Sequence, residues 1–316
     1  MDVTPSAIAV DAGGSSTRAV VVSRDGNCGA VIRGGPGNPV ADPDRAAATI
    51  AQVCAAASGA STQRPHLVVA TVAGILSRDF PQLPPALAHQ GLPSRVVMVS
   101  DLLGAYFSGT TAPEGSVLIV GTGAVAARVT GGRLSAVRDG LGWLLGDDGS
   151  GFWIGHQVAR AVAADLDGRG PATTLTSRVL AGLDDVVRRS GLRTPDLAAL
   201  LTWSQTRPPV ELARFAVMAA GEAERDPVAA SICGRAAEYA LATLASLPGT
   251  EEGPVVMGGS VLGEGSPVGR QVYACLGARA RRVSDGVAGA AMLAIRELGG
   301  STDDASLARV VQALRG

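Results

Sequence analysis

Lysine is absent from the sequence, and all 27 basic residues are arginine. A P-loop NTPase needs the lysine of its phosphate loop, a protein kinase needs a strand lysine, and Schiff-base enzymes need a lysine amine. The sequence therefore excludes these three mechanisms.

Cysteine is also scarce. The four cysteines, Cys28, Cys54, Cys233 and Cys275, lie far apart and form no CxxC pair, which argues against a structural zinc site. Every apolar run is well short of the roughly 20 residues that a membrane span needs. The first residues lack the basic and apolar regions of a signal peptide. We expect a cytoplasmic protein with free thiols and no membrane partner.

The charges nearly cancel, since 27 basic residues face 28 acidic ones for a net charge of -1. No basic excess points to nucleic acid as a partner, so a small molecule is the expected ligand. A chain of 316 residues with 47% hydrophobic residues is expected to fold into two domains of ordinary size.

Short β-branched runs alternate with glycine turns and alanine-rich stretches, a pattern that predicts an α/β fold. Strands are predicted at 7–10, 17–22 and 30–33, before helices at about 42–57 and 79–89. The same opening returns at 117–120, 125–129 and 133–137, which indicates a duplicated fold whose lobes each begin with a three-strand meander. We predict a first lobe at 1–112 and a helix-rich second lobe at 113–299, with ligands at their junction. A last helix at about 300–316 is a candidate to pack on the first lobe.

Three glycine-rich turns follow predicted strands, at 11–17 (DAGGSST), 121–123 (GTG) and 258–260 (GGS). Glycines let a backbone approach a phosphate, and the amides and hydroxyls of such a turn can bind an anion. An aspartate at a strand end, such as Asp11, can hold hydrated Mg²⁺. Each turn alone could equally be an ordinary structural turn. The direction of Arg18, which follows the first turn, stays open.

Together these turns resemble the phosphate-1, phosphate-2 and adenosine motifs of the actin, hexokinase and chaperone ATPase superfamily. The glycine-rich segment 140–155 (GLGWLLGDDGSGFWIG) resembles the signature of the BadF/BadG/BcrA/BcrD ATPase family, which includes N-acetylglucosamine kinases. This resemblance implies two actin-like, ribonuclease H-like lobes, each with a mixed sheet, that use ATP and Mg²⁺.

The resemblance also implies roles for single residues. It assigns the nucleotide to Asp11, Gly13, Gly14, Ser15, Thr17, Gly121, Thr122, Gly123, Gly258, Gly259 and Ser260, and Mg²⁺ to Asp11. It assigns the sugar to Asn38, Asp101, Gly140 and Asp147, and catalysis to Asp101. Many family members carry Gly-Gly-Trp-Gly where this chain has Asp139-Gly140-Leu141-Gly142, and serine where it has Ala124.

Two of the assigned carboxylates have alternative interpretations. An aspartate at position 101 could simply cap the helix that starts at Leu102, although capping does not exclude action as a general base. Asp147 and Asp148 could be solvated loop acids. The apolar residues around them favour a binding role for Asp147.

The resulting hypothesis is an ATP-dependent kinase of amino-sugar metabolism that phosphorylates the 6-hydroxyl of an amino sugar, with N-acetylglucosamine as the first candidate. The alternatives are a kinase of glucosamine, of another hexose or of a muramic-type sugar, and an ATPase activase of the same family. The scattered cysteines argue against an activase, because activases hold an iron-sulfur cluster through paired cysteines. A homodimer is an open option.

Overall fold

The computed structural model describes residues 4–183 and 191–315. Contacts between residues divide the chain into two compact units. Unit 1 comprises Met1–Val117, Val129–Leu134 and Arg281–Gly316, and unit 2 comprises Leu118–Arg128 and Ser135–Ala280.

Unit 1 is built on a five-stranded mixed sheet. Its strands are β1 (Ser6–Ala12), β2 (Thr17–Ser23), β3 (Ile32–Gly34), β4 (Val68–Val72) and β5 (Val96–Ser100), in the order β3-β2-β1-β4-β5. β1 is antiparallel to β2 and parallel to β4, and its register places Asp11 opposite Arg18. The meander therefore brings both ends of the first glycine-rich turn to one edge of the sheet.

The helices of unit 1 are α1 (Pro43–Gly59), α2 (Leu83–His89), α3 (Asp101–Gly109), α10 (Gly286–Glu297) and α11 (Asp304–Ala313), numbered in chain order. Of these helices, α1, α3 and α10 pack on this sheet, whereas α2 packs on α1 and α11 packs on α10. Asp42 caps α1 by accepting the amide of Arg45 at 3.0 Å. Ile50, Cys54 and Ala57, spaced three and four residues apart, form part of the buried face of α1.

The position of α10 matters for the site because its first turn lies beside β1. Its residues 287–295 are all buried, as expected for a helix covered on every side. A Cβ at Gly289 would overlap the carbonyl of Gly104, so α10 and α3 approach closely. This packing brings Asp285, the N-cap of α10, to the end of β1 that carries Asp11.

A second five-stranded sheet has the order β10-β9-β6-β7-β8. Its strands are β6 (Gly115–Val120), β7 (Ala124–Thr130), β8 (Arg133–Asp139), β9 (Val255–Gly258) and β10 (Ala280–Arg282). The described helices of unit 2 are α4 (Gly151–Leu166), α5 (Leu175–Ala181), α6 (Pro195–Thr206), α7 (Ala216–Glu222), α8 (Pro227–Ala245) and α9 (Pro267–Leu276). Short 3-10 helices occupy Pro209–Phe215, Ser260–Leu262 and Gly277–Arg279.

Most predicted elements are present, with two corrections. The third strand, predicted at 30–33, is Ile32–Gly34, because the register with β2 covers these three residues. The helix predicted from residue 79 begins only at Leu83. The predicted lobes at 1–112 and 113–299 remain a proposal about the folding domains.

The contacts between residues place Arg281–Gly316 in unit 1, where α10 packs on α3 and β1.

No described helix combines the length and the apolar character that a membrane crossing requires.

Candidate active site

The first glycine-rich turn of unit 1 is a tight loop between β1 and β2. The amide of Gly13 donates to the carbonyl of Ser16 at 2.9 Å, which closes the loop. Gly14, Ser15 and Ser16 are exposed at its tip, whereas Thr17 is fully buried. The Ser15 hydroxyl is therefore accessible to a ligand. Ser16, to which the family resemblance assigns no role, is equally accessible.

Gly37 joins this loop to the predicted sugar-binding segment. Its amide donates to the carbonyl of Gly13 at 3.0 Å, and a Cβ there would lie 2.5 Å from Thr17 Oγ1. Only glycine fits this approach. Asn38 follows directly, and its Oδ1 accepts the amide of Val40 at 2.9 Å, which leaves the Nδ2 group as the donor for a substrate.

Arg18 lies between two carboxylates at the end of β1. Its Nη2 donates to Asp11 Oδ2 at 2.5 Å, and its Nη1 lies 2.7 Å from Asp285 Oδ1. Burial raises the pKa of the Asp11 carboxyl, although the hydrogen bond and the charge of Arg18 oppose the rise. The structure thus settles the direction of Arg18, which points at Asp11 and Asp285.

Asp101 is the first residue of α3 and sits directly after β5. Ser100, not Asp101, is the N-cap, because Ser100 Oγ accepts the amide of Leu102 at 3.2 Å. Asp101 Oδ1 also accepts from the Leu102 amide, at 3.0 Å, and from Ser100 Oγ, at 3.1 Å. Burial raises the pKa of the Asp101 carboxyl, Ser100 opposes the rise, and the negative charge of Asp11 adds to it. A carboxylate with a raised pKa suits proton transfer.

The second glycine-rich turn, in unit 2, is oriented by α4. The amides of Gly151 and Phe152 donate to the carbonyls of Gly121 at 2.7 Å and of Thr122 at 3.2 Å. Because the N–H and C=O groups of one peptide point in opposite directions, the amides of Thr122 and Gly123 face away from α4. Such outward amides are the donors that an anion needs.

The third turn packs against the second. Gly259 has a φ of 92°, and a Cβ there would overlap the carbonyl of Val120 and lie 2.8 Å from the amide nitrogen of Gly121. A cavity of about 140 Å³ opens beside both turns. Its walls include Gly121, Thr122, Ser260, Ile154, Val217, Cys233 and Val261. A small, mostly apolar slot next to a turn with free amides can hold a purine base beside its phosphates.

Gly259→Ala is expected to weaken ATP binding more than tenfold, because the new Cβ forces the third turn off Val120 and Gly121. Isothermal titration with a non-hydrolysable ATP analogue measures this change. Gly234→Ala is the matched control, since a Cβ at Gly234 in α8 meets nothing within 4 Å. Equal affinity in Gly259→Ala and Gly234→Ala would contradict the nucleotide role of this turn.

Asp147 and Gly140 meet the second turn at Ala124. Asp147 Oδ1 accepts the amide of Ala124 at 2.9 Å, and the amide of Gly140 donates to the carbonyl of Ala124 at 2.8 Å. Burial raises the pKa of Asp147, the bond from Ala124 lowers it, and the charges of Asp139 and Asp148 raise it further. Asp147 is therefore an ordered residue, not a solvated loop acid, and it keeps a second oxygen for a ligand.

Within residues 4–183 and 191–315, no three His, Cys, Asp or Glu side chains are grouped so as to hold a metal ion by themselves. Mg²⁺ often binds through one or two carboxylates and fills its other positions with waters and substrate phosphates. Asp11, with its hard oxygen ligands beside the exposed loop tip, fits this kind of shared site. The donor set does not fit a resident structural metal.

The comparison with protein families decides the broader relationship, because the model of the BadF/BadG/BcrA/BcrD ATPase family matches residues 8–294. The chain belongs to this family. The match begins in β1, before the first turn, and ends within α10, so it includes every turn described above.

Two curated relatives are similar to part of the chain. One is an N-acetylmuramic acid/N-acetylglucosamine kinase of Clostridium acetobutylicum, 33% identical over 119 residues that cover 35% of this chain and 39% of the relative. The other is an N-acetyl-D-glucosamine kinase of Dictyostelium discoideum, 29% identical over 143 residues that cover 45% of this chain and 40% of the relative. The chain thus spans about two fifths of the length of each.

Solved structures extend the similarity to the whole fold. The structure of a candidate N-acetylglucosamine kinase from Chromobacterium violaceum has a TM-score of 0.74 at 23% identity, covering 92% of this chain and 99% of that one. A ROK family glucokinase from Streptomyces griseus, solved with glucose and AMPPNP, has a TM-score of 0.52 at 19% identity, covering 92% and 99%. These similarities confirm the predicted actin-like α/β fold.

Several residues of the site could not be found from sequence motifs. The part of the cavity wall formed by Val217 and Cys233 comes from helices whose sequences carry no motif. The sequence leaves the direction of Arg18 open, because its partner Asp285 lies far along the chain.

A larger cavity of about 650 Å³ in unit 2, lined among others by Arg160 and Arg169, includes none of the predicted site residues.

Proposed function

We propose that this protein is an ATP-dependent kinase that phosphorylates the 6-hydroxyl of an amino sugar, with N-acetylglucosamine as the first candidate substrate. Family membership and the two curated relatives support the proposal. The observation that carries it is a set of groups: the largely buried Asp101 carboxylate and an exposed glycine-rich loop in unit 1, and a second glycine-rich turn beside a mostly apolar slot in unit 2.

In the proposed reaction, Asp101 acts as the general base. Asp101 accepts the proton of the 6-hydroxyl as that oxygen attacks the γ-phosphorus of ATP, so that a new O–P bond forms while the bond to ADP breaks. The hydrogen bonds from Leu102 and Ser100 fix Asp101 Oδ1, and Oδ2 is the atom assigned to the substrate proton. Burial raises the pKa of the Asp101 carboxyl, which favours acceptance of the proton.

The remaining residues bind and orient the substrates. The amides of the second turn and the hydroxyl of Ser15 are assigned to phosphate oxygens, and the slot beside Ser260 is assigned to the adenine base. Bound Mg²⁺, held by Asp11, would neutralise negative charge on the phosphates. Asn38 and Asp147 are assigned to sugar hydroxyls, one as donor and one as acceptor.

The substrate proposal is tested by comparing kcat/KM for N-acetylglucosamine, glucosamine, N-acetylmannosamine, N-acetylmuramic acid and glucose in a coupled assay of ADP release. We expect an amino sugar to have the highest value, because hydrogen-bonding sites reject analogues that leave buried polar groups unpaired. N-acetylmuramic acid is included because the Clostridium acetobutylicum relative is named for both sugars. A higher value for glucose than for every amino sugar would contradict the amino-sugar assignment but not the kinase assignment.

A further inference from the structure

The segment between β8 and α4 contains an unusual pair of backbone conformations. Asp139 has a φ of 61° and Asp147 a φ of 60°, and among the described residues they are the two non-glycine residues with positive φ. This left-handed region disfavours residues with a Cβ, although aspartate tolerates it better than most. Such conformations persist where the surrounding structure enforces them, often at functional sites.

The carboxylates of both residues accept backbone amides in and beside this segment. Asp139 Oδ1 accepts the amide of Asp147 at 2.8 Å, and Asp147 Oδ1 in turn accepts the amide of Ala124 at 2.9 Å. A Cβ at Gly146 would overlap Asp139 Oδ1, so the Asp139 carboxylate fills a space that glycine leaves open. The two aspartates thus form a relay from the end of β8 to the second turn.

Apolar burial does not hold this segment in place. Leu141 is 64% exposed, and Leu144 and Leu145 are each 77% exposed. Trp143 makes one ring contact, with Phe152, at a centroid distance of 5.3 Å. With so little buried apolar surface, the conformation of the segment depends strongly on its hydrogen bonds.

We propose that Asp139 is a positioning residue for the sugar, which holds the Asp147 carboxylate in place by accepting the Asp147 amide. This inference rests on the proposed function, since it takes Asp147 as the sugar-binding acceptor. The negative charge of Asp139 also makes Asp147 a more basic acceptor, because it adds to the raised pKa of that carboxyl. Asp139 therefore acts on substrate affinity through Asp147 and touches no substrate itself.

The ATP side of the site is expected to be independent of this relay. The second turn keeps its bonds from Gly151 and Phe152 and its internal bond from the Gly121 amide to the Gly123 carbonyl at 2.9 Å. Loss of the Asp139 carboxylate should therefore raise the KM for the sugar much more than the KM for ATP. A general loss of structure would raise both.

The test measures sugar KM, ATP KM, kcat and amide hydrogen exchange in four variants. Asp139→Ala and Asp139→Gly remove the acceptor, and glycine also removes the backbone strain. Asp139→Asn keeps an acceptor oxygen without the charge, and Asp148→Ala removes an exposed neighbouring charge that has no hydrogen bond to the Asp147 amide. We expect the KM for the sugar to rise about tenfold in Asp139→Ala and Asp139→Gly. In Asp139→Asn and Asp148→Ala, we expect this KM to stay within about threefold of the wild-type value.

Hydrogen exchange separates this inference from the proposed function. We expect the Asp147 amide to exchange faster in Asp139→Ala and Asp139→Gly and to stay protected in Asp148→Ala, whatever the substrate is. Unchanged protection and a sugar KM within twofold of wild type in Asp139→Gly would overturn the positioning role. Loss of protection in a protein that phosphorylates no sugar would leave the relay standing and overturn the proposed function instead.

Discussion

Asp101→Asn is expected to lower kcat about 10²- to 10⁴-fold while making the folded protein more stable. The loss of turnover follows because asparagine cannot accept the proton of the sugar hydroxyl, and general-base catalysis contributes a factor of this size. Asparagine keeps an oxygen that can accept from Leu102 and Ser100, so the start of α3 is preserved.

The gain in stability follows from the pKa of Asp101. Burial and the charge of Asp11 raise this pKa in the folded protein, so the folded state binds a proton more tightly than the unfolded chain. Stability then falls as the pH rises from the unfolded value of 3.8 through the raised value, and the ionised carboxylate is unfavourable at neutral pH. Asp101→Asn removes the charge and therefore increases the free energy of unfolding. Thermal unfolding at pH 7 should show a higher Tm for Asp101→Asn than for wild type.

Wild-type activity should also fall as the pH drops through the raised pKa of Asp101, because the protonated carboxyl cannot act as a base.

Asp44→Asn is the control for Asp101→Asn, since Asp44 lies in the first turn of α1 and is exposed. It is expected to keep full activity and to lose a little stability through the helix dipole. Turnover in Asp101→Asn equal to that of Asp44→Asn would show that Asp101 has no catalytic role.

Arg18→Met is expected to destabilise the protein by at least about 2 kcal/mol at neutral pH. Its guanidinium pairs with Asp11 at 2.5 Å and Asp285 at 2.7 Å, and methionine leaves both carboxylates without this cationic partner. Fully buried pairs lose about 3–5 kcal/mol when one partner is removed. The loss here should be smaller, because the Asp11 and Asp285 side chains remain 17% and 33% exposed.

The pH dependence identifies the cause of this loss. As the pH falls through the raised pKa of Asp11, the neutral carboxyl no longer needs a cation, so the difference in stability between wild type and Arg18→Met should shrink. Arg95→Met removes an exposed pair with Glu297 at 3.3 Å and should cost less than about 1 kcal/mol. Urea unfolding at several pH values tests both variants. A difference in free energy of unfolding that does not change with pH would contradict the ionic explanation.

The duplicated meander could be predicted because glycine turns and β-branched runs are local signals, and both sheets open with it. The burial of Thr17 could not be predicted, because it depends on how closely Gly37, from another segment of the chain, approaches the Thr17 side chain. Ser100 as the cap of α3 was missed because serine and aspartate are both good N-caps, and sequence alone does not choose between neighbours.

The ion pair of Arg18 and the hydrogen bond between Asp139 and Asp147 could not be predicted from the sequence for a related reason. The pairing of Arg18 with Asp285 depends on the position of α10, which tertiary packing determines. The relay from Asp139 to Asp147 requires positive φ at two residues that are not glycine, and sequence patterns assign such conformations to glycine first. Residue types in motifs therefore indicated the chemistry, while the partners that tune it required the structure.

The most direct test of the central claim is ³¹P NMR of the products after incubation with ATP, Mg²⁺ and N-acetylglucosamine. The proposed kinase activity predicts one new phosphate monoester, coupled to the two C6 protons of the sugar and formed in equal amount to ADP. ADP with inorganic phosphate and no sugar ester would contradict it, and would identify the protein as an ATPase without this acceptor.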